Sequence, residues 1–85
     1  MDVSKLARMA NQIGSYFAAE PERAVGLEGV ASHLRRFWDP RMRRALIAWV
    51  DGGGREGLVP LVLEAIQLHR ERLLEGTGTT VGPAA

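Results

Sequence analysis

The chain has no cysteine at all. That absence excludes disulfide stapling, a cysteine zinc site, a thiolate-ligated iron–sulfur cluster and a cysteine nucleophile from this polypeptide. Histidine is almost as scarce. His33 and His69 stand alone, with no His-Glu pairing at ligand spacing, so a metal site is not expected and both read as boundary residues that hydrogen-bond locally. Charge of one sign is also lacking: the net charge is +1, far from the strong basicity of a dedicated nucleic-acid binder. The longest apolar runs, Ala45 to Val50 and Leu58 to Leu63, are six residues each and far short of a membrane span. Charge falls within the first five residues and no long apolar core follows, so no secretory signal is expected and the cytosol is the expected compartment. Alternating β-branched runs are missing as well, which removes the strand signal.

What remains is helical. With 85 residues, 46% of them hydrophobic and 25% charged, the chain has room for one domain with a modest core. A chain this size hides only about 60% of the surface its unfolded form exposes, so a partner would add to its stability. The punctuation divides it into four helical segments, all-α, with a single domain over residues 1–75 and a flexible tail over 76–85 that lacks charge and periodicity.

The first segment runs from Val3 to about Ala19, with Leu6, Met9, Ala10, Ile13, Tyr16 and Phe17 at helical spacing and Asp2 as its N-cap. The second opens at Glu20-Pro21-Glu22, a proline at a first-turn position beside acids that suit the helix dipole. It continues through Leu27, Val30, Ala31, Leu34, Phe37 and Trp38. Gly26 and Gly29 each cost about 1 kcal/mol of helix propensity, which favours a close approach to a neighbouring helix there. The third lies between Asp39-Pro40 and Gly52-Gly53-Gly54, and the last from Leu58–Pro60 to about Glu75. Leu58, Val59, Leu61, Val62 and Leu63 cover nearly every direction of the first two turns of that last helix, more than so small a core is expected to use.

Catalytic patterns are weak throughout. The triple glycine has no preceding strand and no following Gly-Lys-Ser/Thr, so it is a cap and linker rather than a phosphate loop. Ser4, Ser15 and Ser32 lack a base and its orienter. Function concentrates instead in His33-Leu34-Arg35-Arg36-Phe37-Trp38-Asp39-Pro40-Arg41-Met42-Arg43-Arg44. Asp-Pro breaks one helix and starts another, placing this stretch on a helix-helix corner. Arg41, Arg43 and Arg44 sit at the N-terminus of the third helix, where the dipole disfavours cations. Arginine makes forked contacts with carboxylates, phosphates or backbone, and it outnumbers lysine ten to one here, a bias that a GC-rich genome also produces. An apolar pair rimmed by arginines has the composition of a contact surface. The candidate partner-binding residues are Arg35, Phe37, Trp38, Arg41, Arg43 and Arg44, with Phe37 or Trp38 as the buried anchor, joined by the apolar first turns of the last helix.

A helix-turn-helix DNA binder is the rival from another class. The near-neutral charge, the proline in the join and the apolar Ala45-Leu46-Ile47-Ala48-Trp49-Val50 weigh against it. Self-association into a homodimer is a further alternative.

Two motifs together, Arg8-Met9-Ala10-Asn11-Gln12-Ile13 and His33 through Arg43, resemble the small delta subunit of NAD-dependent, molybdenum-containing formate dehydrogenase. The similarity spans about residues 3 to 74; the Glu20-Pro21-Glu22 entry and the Gly29-Val30 step fit it too, and the tail lies outside. The resemblance implies a non-catalytic, cytosolic chain that docks on the large catalytic subunit and supports its assembly or stability, as a permanent subunit or as a transient maturation factor. It also implies that the molybdenum-pterin centre, iron–sulfur clusters, flavin and NAD reside in partner subunits, with no cofactor in this chain. The missing cysteines agree with that, because a link in the electron path needs thiolate or histidine ligands.

Overall fold

A computed structural model describes residues 2–75; the 76–85 tail expected from the sequence lies outside the described residues. Five helices follow one another with no strand among the described residues: α1 (Val3–Phe17), α2 (Arg23–Phe37), α3 (Pro40–Asp51), α4 (Pro60–Leu68) and α5 (Arg70–Leu74). The fold is all-α.

Local chemistry sets the boundaries. The Asp2 carboxylate accepts from the Ser4 N–H at 2.9 Å and starts α1. Pro21 disfavours helical geometry at Glu20, and α1 ends at Phe17, two residues short of the expected Ala19. Pro21 itself lies outside α2. Glu22 is the extended N-cap at φ −95° and ψ 116°, so the proline directs the chain into the helix rather than occupying its first turn. At the corner, Asp39 accepts from the Arg41 N–H at 2.7 Å and Pro40 takes a first-turn position of α3. Gly53 closes α3 at φ +97°, a conformation that a side chain strains. Gly54 gives the Trp49 indole its seat, since a Cβ there would collide with the ring.

The last segment departs from expectation. One helix was expected and two are found, because the backbone at His69 turns to φ −106° and ψ 26° before α5 resumes. No proline or glycine marks the break.

α2 is central, packing on α1, α4 and α5, while α3 packs on α1 and α5. Leu6 and Ala10, Val30 and Leu34, Leu46 and Ile47, Val62 and Ile66, and Leu73 bring all five helices into one core. Trp38 joins them, only 7% exposed. The core uses more of the last segment than expected. Leu58, Leu61 and Val62 are buried and Leu63 packs against them, leaving only Val59 of that set exposed. The shortage of apolar partners disappears because α1, α2 and α5 all close around α4.

Two interhelical approaches depend on glycine. A Cβ on Gly14 would lie 2.5 Å from Val62 Cγ2, so α1 and α4 touch almost backbone to side chain. A Cβ on Gly29 would strike the Phe17 ring, and one on Gly26 would sit 3.0 Å from the Phe17 carbonyl. The close packing expected at Gly26 and Gly29 is thus found, with Phe17 as the neighbour.

Candidate functional site

The six arginine and aromatic candidates separate into inside and outside. Trp38 is the C-cap of α2, and its extended backbone, φ −87° and ψ 139°, turns the indole into the core. Phe37, one residue earlier and still helical, is 70% exposed. Its ring lies against His33, centroids 4.8 Å apart and planes tilted by 44°, and the Arg36 guanidinium lies 5.9 Å from the ring centre. A large apolar ring held in place yet left in water is costly for an isolated chain.

Arg43 is also inside, 4% exposed. Its Nη1 donates to the Leu73 carbonyl at 2.8 Å and to the Glu75 carbonyl at 3.2 Å, satisfying groups that the end of α5 leaves open. Its Nε, equally buried, has no partner. Burial pulls this guanidinium below its ordinary pKa, the neighbouring Arg35 adds to the effect, and Asp39 opposes it. The arginine that looked misplaced at the N-terminus of α3 is therefore well placed for the C-terminus of α5. It shares the inward row of Leu46, Ile47 and Val50, spaced three, four and seven residues away, and that spacing was the signal available in the sequence.

Arg35 is half-buried and reaches Glu75 at 3.9 Å, and Arg41 reaches Asp39 at 3.8 Å. Arg44 is exposed on the outer side of α3. Asp39 thus both caps α3 and pairs with Arg41. The corner presents Phe37 with Arg36, Arg41 and Arg44, while Trp38 and Arg43 hold it from beneath. Arg36 had not been singled out. With Arg43 spent on carbonyls, the row of phosphate contacts that a helix-turn-helix reading needs is broken.

Next to the corner, an open apolar groove of about 510 Å³ runs between α1 and α2, lined by Met9, Ile13, Tyr16, Phe17, His33 and Trp38. Tyr16 is 76% exposed and meets Phe17 edge to face, centroids 4.9 Å apart. A shallower hollow continues from Phe17 and His33 over Gly29 to Phe37. The sequence set Met9, Ile13, Tyr16 and Phe17 at one helical spacing; the apolar face they form is wider than the core, and its outer edge lines the groove.

Asn11, inside the Arg8–Ile13 motif, has a structural task. Its Nδ2 donates to the Gly57 carbonyl and its Oδ1 accepts from the Val59 N–H at 2.9 Å, fixing the loop that enters α4. Gly57 holds φ +77° there.

Among the described residues, no three His, Asp or Glu side chains group as a metal site. With no cysteine available either, nothing here fits an iron–sulfur cluster. No helix is long and apolar enough among the described residues to cross a membrane.

The described residues define a class: a small all-α bundle with an exposed aromatic ring flanked by arginines and an open apolar groove beside it. A family model narrows it. Residues 5–66 match the NADH-dependent formate dehydrogenase delta subunit family, FdsD, and the chain belongs to that family. Comparison with curated proteins and with solved structures gave no match.

Proposed function

We propose that the chain is an accessory subunit of an NAD-dependent formate dehydrogenase, docked on the large molybdenum-bearing subunit through the Phe37 corner and supporting its assembly or stability. The observation that carries this is the exposed Phe37 ring, set against His33 and flanked by arginines, in a member of a subunit family. A fixed aromatic beside guanidinium groups is the combination that dominates binding energy at protein interfaces. Arg35, Arg41 and Arg44 would meet carboxylates or carbonyls of the large subunit around that anchor. Trp38 and Arg43 act from behind, the first by packing and the second by tying α3 to α5. The molybdenum, iron–sulfur and flavin chemistry belongs to partner subunits in this reading, and the compartment is the cytosol.

Co-purification tests it. A chain carrying Arg41→Glu and Arg44→Glu should keep its helical content yet be recovered with the other dehydrogenase subunits at about a tenth of the unmodified yield. Undiminished recovery would remove the corner as the contact.

A further inference from the structure

α1, α2 and α4 each pack on the other two, a closed triangle of helices. α3 and α5 stand outside it and lean on each other: α3 packs on α1 and α5, and α5 packs on α3, α2 and α4. They are clasped at both ends, in antiparallel sense. At one end Arg43, near the start of α3, donates to the Leu73 and Glu75 carbonyls at the close of α5. At the other, Arg70 at the start of α5 holds Asp51, the last residue of α3, at 2.6 Å. Arg72 with Glu28 and Arg35 with Glu75 tie α5 to α2 in the same way. Apolar support is thin by comparison. Among the five residues of α5 only Leu73 is buried, and so short a helix does not hold itself in water. The backbone turn at His69 already sets α5 off from α4, and an open polar hollow lined by Gln67, His69, Arg70 and Glu71 brings water to that turn. The clasp also carries a cost, because Arg43 Nε is buried without a partner and would find one in water if α5 lifted.

We infer that α5 is a releasable strap: hinged at His69, it lifts from α3 and α2 while the triangle of α1, α2 and α4 stays folded, and α3 loosens with it. Release leaves α3 with α1 as its remaining main support. Regions held by few buried apolar contacts and many solvent-facing polar ties are the ones that open below the global unfolding free energy. The strap bears on the corner directly. α3 carries Arg41 and Arg44 and α2 carries Phe37, so these side chains keep their mutual placement only while α5 is closed. The device arises from contacts within the chain and does not depend on the subunit reading above.

Native-state hydrogen exchange on the full chain tests this amide by amide. The Leu73 N–H, which donates to the His69 carbonyl, and the N–H groups of the buried Ile47 and Val50 in α3 should exchange through one shared opening. After correction for intrinsic rates, that opening should be at least about tenfold more frequent than the one that exposes Leu34 in α2 and Ile66 in α4. Arg70→Gln with Arg72→Gln removes the ties to Asp51 and Glu28 through side chains that are partly in solvent. It should raise exchange in the first group about fivefold and leave Leu34 and Ile66 unchanged. Exchange of all these amides through a single global opening would overturn the inference, as would a variant that accelerates both groups alike or neither. Leu73 opening alone, with Ile47 and Val50 as slow as Leu34, would overturn it too.

Discussion

Arg43 and Phe37 show how much can turn on one side chain. Both lie in a stretch whose composition marks it as a contact surface, yet one is spent inside the molecule and the other is offered to solvent. Arg43→Ala removes two hydrogen bonds to carbonyls and opens a space among α3, α5 and the corner. The expected loss is about 2–3 kcal/mol of folding free energy, read by chemical denaturation. Arg43→Lys should recover only part of it, because an ammonium lacks the forked reach of a guanidinium. Asn11→Ala should cost about 1–2 kcal/mol, since the Val59 N–H and the Gly57 carbonyl lose their partner together. The sequence announced Asp2 as a cap because capping is a local interaction. It was silent on Asn11, whose partners lie 46 and 48 residues away. It also left Phe37 and Trp38 undivided: both fall on the apolar face of one helical pattern, and only the exit from helical geometry at Trp38 sends one in and the other out.

Among the elements, glycine sets the spacing. Gly14→Ala ought to gain about 1 kcal/mol of helix propensity, but Val62, fully buried, stands where the new methyl would go. The net expectation is a destabilisation of about 1–2 kcal/mol, with Gly52→Ala, whose nearest neighbour would be 3.5 Å away, staying within about 0.5 kcal/mol. Denaturant midpoints for the two variants measure the contrast. Helix existence and order were legible because the periodicity is strong and the prolines and glycines fall at the joins. The break at His69 was not, because no proline or glycine interrupts the helical pattern there. Nor was the depth of α4 in the core, since the number of helices closing around it depends on tertiary arrangement.

For the whole molecule, surface ion pairs tie distant parts together. Arg70 holds Asp51 at 2.6 Å, joining α5 to α3, and Arg72 holds Glu28 at 2.6 Å, joining α5 to α2. The hydrogen bond from each arginine keeps its carboxylate below the ordinary pKa, more than offsetting the opposing effect of burial. A depressed folded-state pKa gives stability that is present above the unfolded value, about 4, and is lost as pH falls through the lower folded value. The melting temperature should therefore drop as pH falls below about 4, and a Glu28→Gln, Asp51→Asn chain should melt lower at neutral pH and fall less steeply on acidification. A thermal scan at several pH values reads both. At this scale the sequence disclosed the all-α class and the family resemblance, while the groove emerged only when α1 and α2 were set side by side. In the proposed function, the exposed Phe37 corner holds this chain to the large subunit of formate dehydrogenase. The most direct test is the dissociation constant for the separated large subunit, measured by titration with the unmodified chain and with Phe37→Ser. Binding should weaken at least about tenfold in the variant while its melting temperature holds; equal affinities for the two chains would remove the corner as the contact.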